Sequence, residues 1–205
     1  EEINNRLSNR FSRPEKAKFT AHDIFEICKE VLPENSNIYT ETGAHIRLME
    51  QTWKFDEPLK FFGTSGGRTM GLMIPSFIGG VLATDNNIPS IGIGADGSTL
   101  MRLGEFETIN RSKIKWPLVI INDGALGTMK YRQGFRGYED YGLDLTLVDF
   151  AETAKSCGLN GEKVDNPEEF KNALNKSLNS DKTFVIDARI DPDAYQDNFG
   201  GTIGD

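Results

Sequence analysis

The chain has 205 residues, 38% hydrophobic and 26% charged, with a formal net charge of -8, the length and composition of one soluble globular domain with room for a core. The excess of acid and the lack of a dense Lys/Arg cluster argue against nucleic acid or an anionic membrane as partner. No apolar run of about 18 residues occurs, and residues 1–18 lack the apolar centre of a signal peptide, so the expected compartment is the cytoplasm.

Residues 1–18 are polar, include Pro14 and read as a linker into a domain over 19–190, with 191–205 as a tail. "TAHDIFEICKEVLP" opens on Thr20 as N-cap with Asp23 three residues on, and then spaces Ile24, Ile27, Cys28, Val31 and Leu32 as a helix that stops at Pro33. His22 reads as a solvated first-turn residue. "NIYT" reads as a short strand ending at Thr40, followed by a turn over Glu41 to Gly43. A second helix is expected over 70–84, a strand in "PSIGIGA", a helix in "TLMRLGEFETIN" and a strand buried on both faces in "PLVIIN". "VDFAETAKSCG" and "NPEEFKNALNKSL" read as helices, the latter with Asn166 as cap and Pro167 in its first turn, and "TFVIDARI" as a strand. Cys28 and Cys157 fall on helical patterns without disulfide or zinc spacing, and read as reduced packing residues. Strands alternating with crossover helices predict a doubly wound, mostly parallel α/β sheet.

In such a sheet ligands bind at the carboxyl ends of the strands. Three loops there carry chemistry: "ETGAH" at 41–45, "GADGS" at 94–98 and "INDGALG" at 121–127. Gly92, Gly94 and Gly97 also fit G-x-G-x-x-G, the spacing of a dinucleotide loop. An aspartate inside that loop, Asp96, would meet a pyrophosphate head on unless a cation lay between them. The dinucleotide reading also asks for an acid about 20 residues on, and the nearest one after the intervening helix is Asp123. Two carboxylates, Asp96 and Asp123, with the Ala125 carbonyl, waters and ligand phosphate oxygens, make a donor set that suits Mg²⁺.

"ADGS" at 95–98 followed by "ND" at 122–123, with Asp123 27 residues after Asp96, resembles the diphosphate and metal signature of thiamine diphosphate enzymes. "TSGGRTMGLMIPSFIGGVLA" at 64–83 is similar to that family's glycine-rich segment, and "ETGAH" to its D-V-G-Q-H. The resemblance covers about residues 20–190 and is to the C-terminal, diphosphate-binding domain of the acetolactate synthase and pyruvate decarboxylase group. It implies thiamine diphosphate and Mg²⁺ as cofactors, with Asp96, Asp123 and the Ala125 carbonyl as metal ligands. It further implies that Thr42, Gly43, His45, Gly97, Ser98, Leu126 and Gly127 line the diphosphate. A carbonyl at Arg68 or Thr69 would accept from the aminopyrimidine, and Met70 would be the apolar pillar under the bent cofactor and hence catalytic. The implied activity is decarboxylation of a small 2-oxo acid with transfer of the remaining unit. A pyrimidine-binding domain is the implied partner, in a homodimer or tetramer.

The sequence departs from the family pattern at Asp123, where Asn is usual, at Ala95 and Ala44, and in a glycine-rich segment one residue short that holds Arg68 and Met73. Met129 stands where the resembling decarboxylases carry a catalytic Glu, which favours acetolactate-synthase-like carboligation. Arg132 and Arg136, placed on a loop near the pocket, offer a carboxylate anchor or are solvated charges. Two other readings stand beside the first: a non-catalytic relative with weakened cofactor binding, and an unrelated dinucleotide-binding module.

Overall fold

The computed structural model describes residues 11–55, 58–63, 67–191 and 195. The described residues build six strands, β1 (Asn37–Thr40), β2 (Phe61–Phe62), β3 (Ser90–Ala95), β4 (Leu118–Asn122), β5 (Asn160–Val164) and β6 (Phe184–Arg189). All pairings are parallel, in the order β2-β1-β3-β4-β6-β5. The helices are α1 (Ala21–Val31), α2 (Ala44–Thr52), α3 (Met73–Ala83), α4 (Asp96–Leu100), α5 (Glu105–Arg111), α6 (Gly127–Phe135), α7 (Phe150–Ser156) and α8 (Pro167–Leu178).

Side chains alternate across the sheet, so each strand feeds two cores. Ile91, Ile93, Val119, Ile121 and Ile186 pack under α1, α2 and α8 with Phe25, Leu48 and Phe170. Leu118, Ile120 and Val185 pack on the other face under α3, α5 and α7, with Phe77, Phe106 and Phe150. Each such side chain contributes about 2 kcal/mol on burial, so these layers outweigh any helix cap, worth about 1 kcal/mol. Both sequence-read caps form. Thr20 and Asp23 make a reciprocal capping box, and Asn166 accepts from the Glu169 N–H at 3.0 Å. The chain leaves β1 toward β2 but leaves β3 toward β4, and this reversal opens a crevice outside the carboxyl ends of β1 and β3.

Several expectations are corrected. The helix expected from residue 70 begins at Met73, and the one expected across 99–110 is two helices, α4 and α5, separated by turns over 101–104. α2, α6, β2 and β5 lie in segments read as loop or left unread. His22 is not solvated: it is 9% exposed, and its Nε2 bonds the Phe11 carbonyl at 2.8 Å. Arg13 meanwhile ties the segment before α1 to Asp23 at 2.7 Å. Cys28 is fully buried, its thiol pushed out of reach of ionisation by burial, and Cys157 is partly buried against the second core, so both pack as expected.

Candidate active site

The floor of the crevice is a pair of carboxylates. Asp96 follows β3 as the first residue of α4 and is 3% exposed; its Oδ1 accepts from the Gly97 N–H at 2.7 Å and its Oδ2 from the Gly124 N–H at 2.9 Å. Asp123 follows β4, and its Oδ1 accepts from the Ala125 N–H at 3.1 Å. Gly124 sits at φ +71°, which lets the chain turn back so that Asp96 grips the loop carrying Asp123. Burial pushes Asp96 up to about 6. Burial and then the charge of Asp96 push Asp123 up to about 7. The two like charges therefore oppose each other at low dielectric, an arrangement a divalent cation would reverse. Among the described residues no group of three or more His, Cys, Asp or Glu side chains is placed to hold a metal. Further donors must be backbone carbonyls such as that of Ala125, water, or oxygens of a ligand.

Above the floor lies a cleft of about 250 Å³. Its lining includes Thr42, Gly43, His45, Arg68, Met70, Gly97, Ser98, Leu126 and Gly127 together with Asp96, Asp123 and Ala125. Of the residues that the resemblance assigns to cofactor and metal, Thr69 alone does not line it, and it is exposed. Three helices start at this cleft: α2 after Gly43, α4 after Ala95 and α6 after Leu126. None of these N-caps supplies a side-chain hydrogen bond, which leaves partial positive charge at the starts of α2 and α6, while in α4 Asp96 itself takes the Gly97 N–H. The buried Thr128 hydroxyl in the cleft wall has no hydrogen-bond partner among the described residues. Uncapped helix starts, an unsatisfied hydroxyl and paired carboxylates are a donor set that fits a diphosphate carried with a divalent cation.

His45 has a different part from that of a charged anchor. It is 1% exposed, its Nε2 is hydrogen-bonded to Thr40 Oγ1 at 3.2 Å, and burial lowers its pKa to about 4. A Cβ at Gly43 would lie 2.6 Å from its Nδ1, so glycine is required where the loop crosses the ring. The imidazole is thus neutral at pH 7 and supports the loop from beneath. In the unfolded chain the same group titrates near ~6.5. Its folded pKa being the lower, the neutral form's contribution is complete above about pH 6.5 and is lost as pH falls toward 4, up to about 3 kcal/mol. Urea unfolding at pH 7.5 and 4.5 is expected to show His45→Gln losing about 2 kcal/mol less than the parent over that interval. Equal losses would contradict the assignment.

Glu41 is a structural tether. It is 1% exposed, its Oε2 accepts from the N–H groups of Leu72 at 2.8 Å and Met73 at 3.2 Å, and burial raises its pKa. It thereby caps α3 from the end of β1. A Cβ at Gly94 would strike Met73 and Glu41 at 2.6 and 2.7 Å, and one at Gly92 would strike Leu118 and Met73 at 2.5 and 2.7 Å. The first two glycines of the G-x-G-x-x-G pattern therefore make room for α3 and its tether, and the dinucleotide-loop reading is not sustained. Met70 stands over the third: its methyl lies 3.6 Å from the Cβ position of Gly97.

Sequence reading missed Tyr195 and Arg47. Tyr195, from beyond β6, is 2% exposed, lines the cleft and meets Tyr131 edge-on at 6.4 Å. Arg47 lines the cleft from the first turns of α2, a helix that carries no capping signal. Arg132 is not on a loop: it lies in α6 and lines the cleft, whereas Arg136 is that helix's C-cap and does not.

The chain is similar to YdaP of Bacillus subtilis (strain 168), at 30% identity over 79% of this chain and 28% of YdaP. It is 28% identical to the acetolactate synthase isozyme 2 large subunit of Escherichia coli (strain K12) over 78% of this chain and 29% of that one. Its fold matches that of a thiamine diphosphate-dependent 4-hydroxybenzoylformate decarboxylase of Rhodococcus jostii RHA1, with a TM-score of 0.79 at 21% identity, over 87% of this chain and 34% of that one. The chain spans about 30% of the length of the curated relatives it matches. The family model described as the thiamine pyrophosphate enzyme C-terminal TPP binding domain matches residues 41–188, and the chain belongs to that family.

Proposed function

We propose that this domain holds the diphosphate of thiamine diphosphate through Mg²⁺, within an acetolactate-synthase-like enzyme that decarboxylates a 2-oxo acid and transfers the remaining unit. The observation that carries the reading is the meeting of Asp96 and Asp123, 27 residues apart, at one cleft where three uncapped helices begin. Asp96, Asp123 and the Ala125 carbonyl would hold the metal. Gly97, Ser98, Thr128 and the α6 N-terminus would take the phosphate oxygens, with Thr42, Gly43, Leu126 and Gly127 shaping the walls around them. Met70 would support the cofactor's rings, and the Arg68 or Thr69 carbonyl would accept a hydrogen bond from its aminopyrimidine. When bound, thiamine diphosphate supplies the decarboxylation and acyl-transfer chemistry. The protein's part is to bind, orient and exclude water. A pyrimidine-binding domain would complete the site in a homodimer or tetramer, and cytoplasmic placement fits the lack of any described helix long and apolar enough to cross a membrane.

Calorimetry with thiamine diphosphate in the presence and absence of Mg²⁺, with NAD as comparison, tests the reading. Metal-dependent binding of the first and none of the second is expected. NAD binding, or binding indifferent to metal, would overturn it.

A second reading, a relative with weakened cofactor binding and no catalysis, draws on the extra negative charge of Asp123. Asp123→Asn removes that charge from a site where the charge of Asp96 already raises Asp123. It is expected to stabilise the cofactor-free protein by about 2 kcal/mol in urea unfolding and to tighten diphosphate binding by about 1 kcal/mol. If asparagine instead weakens binding, the aspartate is matched to its metal and the second reading loses its support.

A further inference from the structure

The charges of the cleft are divided. Its carboxylates, Asp96 and Asp123, lie on the floor at the strand ends, while Arg47, Arg68 and Arg132 line it from α2, the loop before α3, and α6. Arg68 and Arg132 are exposed and form no ion pair among the described residues. In a chain of net charge -8, two exposed guanidinium groups at one opening, Arg68 and Arg132, are a local concentration of positive charge, which draws anions in. A cation held on the floor, together with the helix starts, would already answer a diphosphate. A single carboxylate is matched by one bidentate guanidinium, which leaves positive charge over.

We propose that Arg68 and Arg132 select a substrate with a second anionic group besides the carboxylate of a 2-oxo acid. This rests on the reading of the cleft as a thiamine diphosphate site. One arginine takes the 2-oxo acid carboxylate and the other holds the distal anion. An uncharged side chain at that position leaves one exposed arginine facing water, and the selection is by charge rather than by shape. Because Arg68 and Arg132 are solvent-facing, their contribution weakens as salt rises.

The full chain is titrated calorimetrically with 2-oxoglutarate, a dianion, and 2-oxobutyrate, a monoanion, first without cofactor and then with thiamine diphosphate and Mg²⁺. The dianion is expected to bind about tenfold tighter, with the advantage shrinking at high salt. Arg68→Met with Arg132→Met should abolish the preference, and the corresponding lysine pair should restore part of it. Both positions are exposed, so circular dichroism should show the fold unchanged. Equal affinity for the two acids, or a preference that survives the methionine pair, would overturn the proposal. A methionine pair that loses cofactor affinity but keeps the preference would assign the arginines to the diphosphate and would overturn it as well. Cofactor that fails to bind while the dianion preference persists would remove the cofactor reading and leave the anion site standing. Cofactor bound with no preference would do the reverse.

Discussion

Asp96→Ala is expected to lower Mg²⁺-dependent binding of thiamine diphosphate by more than about 100-fold, the loss associated with stripping a metal site of its supports. The carboxylate acts twice. It would supply a charged oxygen to the metal, and it already accepts from the Gly97 and Gly124 N–H groups, so it holds the end of β3 and the loop after β4 at a fixed separation. Without it, the remaining carboxylate cannot alone hold the divalent cation that would offset a polyanion brought into a buried cleft. The loss should be one of binding and not of folding, because removing Asp96 also relieves the repulsion that raises Asp123. Titration of the variant with and without Mg²⁺, beside a urea unfolding curve, separates the two. An affinity equal to the parent's would mean that the metal site lies elsewhere.

The second large effect concerns activity. With cofactor and Mg²⁺ supplied, the 205-residue chain is expected to release no carbon dioxide from pyruvate until a pyrimidine-binding domain is added. Proton transfer at the reacting centre contributes about 10²–10⁴-fold and needs an acid or base within hydrogen-bond reach. The carboxylates lining the cleft are Asp96 and Asp123, both on the floor. Glu41, the remaining acid nearby, is buried and spends its Oε2 on the start of α3. His45 is buried and neutral beneath Gly43. No described group is left to move a proton at the far end of the cofactor. Carbon dioxide release by the purified chain alone would refute this and require an activating acid within it.

The elements that could be read in the sequence are those whose local signals and tertiary roles agree. β3 and β4 are apolar runs because both faces are covered, β6 is apolar up to the buried Asp187, and α1 and α8 announce themselves by caps. β5, "NGEKV", is an edge strand with little apolar surface, and β2 is two residues long, so neither carries a periodic pattern. α2 and α6 were illegible for a reason tied to the site: Gly43 and Leu126 cap nothing, and α6 buries no residue, so capping and amphipathic rules both pass over them. Helix starts left open toward a ligand lack the signal by which helix starts are recognised. Asp96 and Asp123 could be found by their spacing after strands. Tyr195 could not, because it reaches the cleft from outside the alternating pattern, and neither could the support role of His45, which depends on a ring packed under a glycine.

The tether from Glu41 has a consequence for how a cofactor is met. The segment leading into α3 contains Arg68 at φ +46° and Gly71 at φ +74°, backbone states that an unrestrained loop would visit among many others. By fixing the N–H groups of Leu72 and Met73 to the end of β1, the buried carboxylate removes those alternatives while the domain folds. The ordering entropy of the Met70 support is then settled before any ligand arrives, and binding does not have to supply it. Association should accordingly follow the diffusion of the ligand into a preorganised cleft rather than wait on a conformational search by the loop.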